Sequence, residues 1–289
     1  MYNRKCKAKI ISLSLALLLV ISTIGGFMSQ SFTAEAADTD IIEISSEDEL
    51  ISFANSCRND SYSFGRKVKL TSDISITKDG FEGIAYFNGT FDGGNHTIRN
   101  LNKEYIGSDY GFFRYLGEDA YVYNLSVSGT ITASGSQKNI GGIAGVNYGT
   151  ISNCAYVGKL SGGTAGVNKA GARLINCNSD ADISATNQTG GIAGNNQGII
   201  SGCISRSKVN INELNSSFDI GGVDVGTLNI TQHVVDRNDM GGIAGYSTGV
   251  ISDSINYGAV GYSHMGYNAG GIVGNQKGKV YNCTNEGSV

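Results

Sequence analysis

The side chains best equipped for chemistry gather in one segment, "INELNSSFDIGGVDVGTLNITQHVVDRNDM", Ile211 to Met240. It holds Asp219, Asp224, His233, Asp236 and Asp239. Carboxylates set in pairs can act as acid and base on a glycosidic bond, or can hold Ca²⁺ through oxygen. The bland alternative is a solvated insertion with no ligand at all. Two smaller clusters compete with it. Asp180 and Asp182, in "NSDADIS", would share a face if that piece is extended, although a structural turn fits them as well. Asp92 and His96 stand in "FDGGNH", where Asp-Gly-Gly-Asn is first of all a turn signal. The three histidines, His96, His233 and His264, make no H-E-x-x-H pair, and no G-x-S-x-G nucleophile motif occurs. Chance G-x-G strings lack the strand–loop–helix setting that phosphate binding needs. No cofactor is expected, Ca²⁺ being the one cation such carboxylates could take.

What would position these groups is written several times over. "GGIAGVNYGTISNC" from Gly141 recurs as "GGIAGNNQGIISGC", "GGIAGYSTGVISDS" and "GGIVGNQKGKVYNC". Glycine pairs fall at Gly141, Gly162, Gly190, Gly241 and Gly270, with a weaker copy, "GGVDVG", at Gly221 in the one wide gap. A degenerate copy begins at Gly111. A period of 20–50 residues means a solenoid, propeller or array. Each unit consists of short pieces rich in Ile and Val, parted by Gly, Asn and Ser, with no helical stripe. Three short strands per coil predict an all-β, parallel β-helix over residues 63–289, with the insertion at about 211–240.

Within each coil the alternation predicts Ile151, Ile200 and Ile251 pointing in, and Ser152, Ser201 and Ser252 pointing out. Cys154, Cys177, Cys203 and Cys283 share one phase, Ser254 standing in for a fifth, so they should stack as a column of small side chains; free thiols or bridges between neighbouring rungs are both open. The glycine pairs and Asn147, Asn195 and Asn275 are expected where the chain turns sharply or takes positive φ. Tyr148, Tyr156, Tyr246, Tyr257, Tyr262 and Tyr267 fall at repeat edges, where rings could stack on sugars or meet a protein. With Asp219, Asp224, His233 and Asp236, the rims at Tyr246 and Tyr257 are the candidate ligand contacts. A lyase or glycosidase built on this fold would need carboxylates aligned in one outer column. The repeats show Asn, Ser, Gly, Thr and Tyr there instead.

These units, above all "IGGIAGVNYGTISNCAYVGKLSG", resemble the GLUG repeat of bacterial surface and secreted proteins, over roughly Gly111 to Val289. The repeat also occurs in non-catalytic N-terminal regions of some immunoglobulin-A-cleaving metallopeptidases. The resemblance implies a right-handed β-solenoid outside the cell, with structural motif residues and no known reaction. "FNGTFDGGNHTIRNL", Phe87 to Leu101, is similar to the entry coil of many such helices.

The ends complete the picture. Arg4, Lys5, Lys7 and Lys9, then an apolar run, then Ala34 and Ala36, have the layout of a secretory signal over residues 1–37. An uncleaved anchor is the alternative, since Ile10 to Met28 could just span a bilayer. No later stretch is apolar enough for a second span. Residues 1–36 hold four of the 21 basic and one of the 25 acidic residues, leaving 17 against 24, a net charge of −7. That balance speaks against holding nucleic acid or anionic lipid by bulk electrostatics. In the capping segment, residues 38–62, Ser46 and Glu49 form a capping box. Leu50, Phe53, Ala54 and Cys57 form a stripe, predicting a helix over 46–57 that covers the first coil. No equivalent cap is written at the other end, where the last coil is left open, or the chain continues, or a partner covers it. The function expected is an adhesin-like binding or spacer module, its ligand a host or environmental glycan or a protein. The alternatives are a β-helix lyase or glycosidase, and a non-catalytic region of a larger surface hydrolase.

Overall fold

The computed structural model describes residues 41–106, 109–134, 139–160, 163–185, 187–211, 238–261 and 267–289. The leader 1–37 and the bulk of the insertion, with Asp219, Asp224, His233, Asp236 and the glycine pair at Gly221, lie outside the described residues. Residues 41–289 form one unit. A typical coil consists of strands Thr150–Ser152, Ala155–Leu160 and Gly163–Asn168, each paired in parallel with its counterpart one repeat away. The three families of strands make sheets of nine, ten and seven strands, so the chain is a parallel β-helix. A short fourth sheet, Asn187–Gly190, Asn238–Gly241 and Tyr267–Gly270, runs ahead of the last glycine pairs.

The core follows the expected phase. Ile151, Ile200 and Ile251 are fully buried in the first sheet, in register with Phe91, Val122 and Leu174. Ser152 and Ser252 face away from this core yet are nearly covered, and Ser252 donates to Ser201 one coil away at 2.9 Å. Strand Ala193–Asn196 bonds directly to Ala244–Ser247, and Ile199–Ser201 to Val250–Ser252, so these rungs are already each other's hydrogen-bond partners.

Two expectations about turns are corrected. Asn147, Asn195 and Asn275 lie inside strands of the third sheet. Positive φ falls elsewhere, at the bend from the first sheet to the second: Asn153 (51°), Asn176 (52°), Asp253 (52°) and Asn282 (53°), with Gly202 (65°) in the same place. Asn and Asp tolerate this left-handed region, and the bend lets the next side chain, Cys154 or its equivalents, turn inward. The glycine pairs serve close approach instead. A Cβ on Gly142 would stand 2.1 Å from the Tyr156 ring, and on Gly191 2.0 Å from the Ser205 Oγ. On Gly242 it would stand 2.2 Å from Asn256, and on Gly271 2.2 Å from Asn285. In the later motifs the third glycine is roofed by the fourth sheet: a Cβ on Gly194 would meet the Gln188 carbonyl at 2.5 Å, and on Gly245 the Asp239 carbonyl at 2.4 Å.

Strand Ile41–Ile44 opens the first sheet by pairing with Lys67–Leu70, and helix α1 (Glu47–Ser56) lies between them in sequence. Ser46 caps it, accepting from the Glu49 N–H while Glu49 accepts from the Ser46 N–H at 3.2 Å. Leu50, Phe53, Ala54 and Cys57 are buried, and Phe53 meets Phe87 edge-on at 6.2 Å. Glu47 accepts from the Lys78 and Thr77 N–H groups at 2.7 and 2.6 Å, tying the helix to the next coil. These bonds, the Lys78 N–H first, hold its carboxyl below the usual range.

Cys154, Cys177 and Cys203 form the expected column, fully buried and unbridged, and Ser254 continues it. Burial pushes the Cys154 and Cys203 thiols up. A maleimide applied to the native protein should therefore label Cys283, which is only half-buried, and reach Cys57, Cys154, Cys177 and Cys203 only after denaturation. Labelling of all five at one rate would contradict the buried column. In denaturant titrations Gly142→Ala should cost about 3 kcal/mol, because the buried Tyr156 ring must move. Gly171→Ala, with open space around it and φ of 86°, should cost only about 1 kcal/mol of backbone strain.

Candidate functional site

The outer face of the second sheet brings the chemistry-bearing residues closest together. Asp180 and Asp182 belong to strand Asn178–Ile183, where they alternate with buried Ser179, Ala181 and Ile183. They are therefore not a turn: they project side by side from an extended strand. In register with Asp182 stand Lys159 on one neighbouring rung and Lys208 on the other. Asp180 lies between Val157 and the position of Arg206, whose N–H donates to the Ser179 carbonyl at 2.7 Å. Tyr257 follows one coil further, with the Arg206 guanidinium 5.3 Å from its ring centroid. None of the ion pairs among the described residues engages Asp180 or Asp182.

Beside this ladder the strand ends open into a groove of about 260 Å³. Its floor is Ile131, Leu160 and Ile183, and Lys159, Asp182 and Lys208 line it. It ends at Ile211, where the chain leaves for the insertion. Apolar floor and alternating charged rim suit a ligand with both flat and polar surfaces. Among the described residues no three His, Cys, Asp or Glu side chains converge as a metal site requires.

The expected tyrosines divide. Tyr257 is exposed on this second-sheet face, whereas Tyr246 stands on the third sheet with the Lys277 ammonium 5.6 Å from its centroid, so the two do not form one site. Tyr156 is not a rim residue. Its ring is buried against Gly142, and its hydroxyl donates to the Gly129 carbonyl at 2.9 Å. Tyr148 is exposed beside Lys169. The side chains of Tyr262 and Tyr267 lie outside the described residues. Asp92 accepts from the Gly94 N–H at 2.9 Å, the turn that "FDGGNH" predicts, and His96 Nδ1 lies 3.3 Å from Asp73.

These ladders define a parallel β-helix whose side chains stack in columns along its axis. Residues 265–289 match the family model of the GLUG motif, and the earlier glycine-pair units occupy the same place on earlier rungs of the β-helix. A crystal structure described as a "putative immunoglobulin A1 protease" from Bacteroides ovatus has a similar fold, with a TM-score of 0.59 and 19% identity. The match covers 86% of this chain and 78% of that one. At that identity the likeness is one of fold. No curated protein matches the chain. No helix among the described residues is long and apolar enough to cross a membrane.

One polar array went unread in the sequence. Asn147 Nδ2 donates to Asn168 Oδ1 at 2.9 Å, Asn168 Nδ2 to Asn196 Oδ1 at 2.8 Å, and Asn196 Nδ2 to Ser247 Oγ at 3.1 Å, all four residues being buried. An amide carries a donor and an acceptor, so it can bond its own copy above and below. Aligning the motifs on Gly145, Gly166, Gly194 and Gly245 would have placed these four in one column. Asn168→Asp removes the donor and buries a charge, and should cost about 3 kcal/mol or more at neutral pH. The new carboxyl would titrate above its unfolded value. Its destabilisation should therefore be smallest in acid and grow as pH rises through that window, measured by denaturant melts from pH 4 to 8. A cost independent of pH would argue against the ladder.

Proposed function

We propose that this chain is an exported β-solenoid, secreted or held at the cell surface after loss of residues 1–37, serving as an adhesin-like binding or spacer module. Its ligand is a host or environmental glycan, or a protein. The observation that carries this reading is the groove at the root of the insertion, with Lys159, Asp182 and Lys208 on its rim. A ladder that alternates in charge offers hydrogen bonds of both senses to a bound chain. It does not repeat a carboxylate from coil to coil as cleavage across coils would need. The insertion, with Asp219, Asp224, His233 and Asp236, leaves the solenoid beside this groove and is proposed to share in binding, as insertions in solenoids often do.

A second reading, a non-catalytic region of a larger surface hydrolase, is supported by the GLUG motif match and by the fold likeness to the structure described as an immunoglobulin A1 protease.

Glycan-array binding by the purified protein, run with product detection on the same glycans with and without Ca²⁺, tests the first reading. Saturable binding without cleavage is expected, weakened about tenfold by Lys208→Glu through loss of one charged contact. Release of product would replace it with a β-helix lyase or glycosidase and make Asp180 and Asp182 the first substitutions.

A further inference from the structure

A second surface, on the edge where the third sheet turns into the first, carries aromatic rings on successive coils. We propose that this edge binds an uncharged polysaccharide strand laid along the solenoid axis. The proposal rests on reading the chain as a binding module, and names for it a separate site and a ligand class.

Tyr86 and Tyr115 are in-register partners on adjoining rungs of the third sheet. On the next coil the residue in register with Tyr115 is the buried Val146, and Tyr148 stands two residues further along, its N–H donating to the Leu116 carbonyl at 3.0 Å. Phe64 extends the row in the other direction, its centroid 6.0 Å from that of Tyr86, and is 55% exposed. Rungs stack at about 4.8 Å, so the row gives one ring per coil over four coils. The rings lean along the surface. A Cβ on Gly117, one rung beyond Tyr86, would stand 2.5 Å from the Tyr86 hydroxyl, so glycine there is what lets that ring lie down. The Tyr115 hydroxyl is tied to Asp109 at 2.5 Å, which, with burial, pushes the phenol up to about 12. Lys169 closes the row, 5.9 Å from the Tyr148 centroid.

The flanks choose among ligands. Burial raises the Tyr86 phenol, the nearby carboxylates of Asp60, Asp119 and Glu118 raise it further, and an anionic polymer would meet those carboxylates first. On the side of a β-helix the backbone N–H and C=O groups are spent between coils, so an extended peptide finds no main-chain edge to join. A neutral sugar chain needs neither. It offers flat C–H faces to the rings and hydroxyl donors to the carboxylates.

Affinity electrophoresis of the purified protein in gels holding a soluble β-glucan, a galactomannan or polygalacturonate, with oligolysine as a competing peptide, tests this. Retardation by a neutral polysaccharide is expected. Tyr148→Ala and Tyr86→Ala should each weaken it about five- to tenfold. Tyr115→Phe keeps the ring and should bind as the parent does; Lys208→Glu removes the groove's charged contact but leaves this row intact, so the neutral-polysaccharide binding that survives in it belongs to the row. Binding of polygalacturonate alone, displacement by oligolysine, or full affinity in both alanine variants would overturn the proposal. If binding fails with Lys208→Glu yet survives Tyr148→Ala, only this site falls. If no glycan or protein ligand binds at all, the binding-module reading falls with it.

Discussion

In a parallel β-helix each residue sits about 4.8 Å from its own counterpart in the next coil, and every column must tolerate self-contact. The side chains that pass this test fill the molecule. Aliphatics stack in the first sheet, thiols and a serine stack past the bend, and asparagines bond their own copies in the third sheet. Charges pass only by alternating, as in Lys159, Asp182 and Lys208. A column of carboxylates would repel itself, which is a physical reason for the outer faces of this solenoid to be mixed rather than acidic.

The same constraint gives the glycine motif three separate explanations for residues that look alike. In Gly241–Gly245 the first glycine sits in a tight curve, its would-be Cβ 1.9 Å from the Ala244 carbonyl. The second faces Asn256 across the narrowed interior, and the third lies under strand Asn238–Gly241. The apolar residue between them, Ile243, fills the space they leave.

The sequence made the architecture readable because periodic columns are visible as letters: the Ile, the Cys and the capping box of α1 all occupy the places their spacing predicts. It was misleading wherever one residue type has two physical uses. Glycine reads as a turn but here marks contact, and asparagine reads as a loop yet Asn147 lies inside a strand while Asn153 makes the bend. Asp180 and Asp182 looked like a turn because Asp and Asn are common in turns, and only pairing with neighbouring rungs shows them on a flat face. Of the candidate contacts, Tyr246 and Tyr257 stand on different faces, since a rim that wraps around a coil has no single side. The aromatic row at Tyr86 and Tyr115 arises before the clear repeats begin, where no alignment of motifs would bring it out.

The interior changes character along the axis. The first coils enclose Phe53, Phe81, Phe87, Phe91, Phe112 and Phe113 in mutual ring contact. In later coils the second sheet turns Ser179, Ser205 and Asn256 inward instead. Coils contact only their neighbours, so stability in a solenoid is local and additive rather than shared by the whole. Local opening in such an arrangement is expected to be graded along the axis, easiest where the interior is polar and hardest around the phenylalanines.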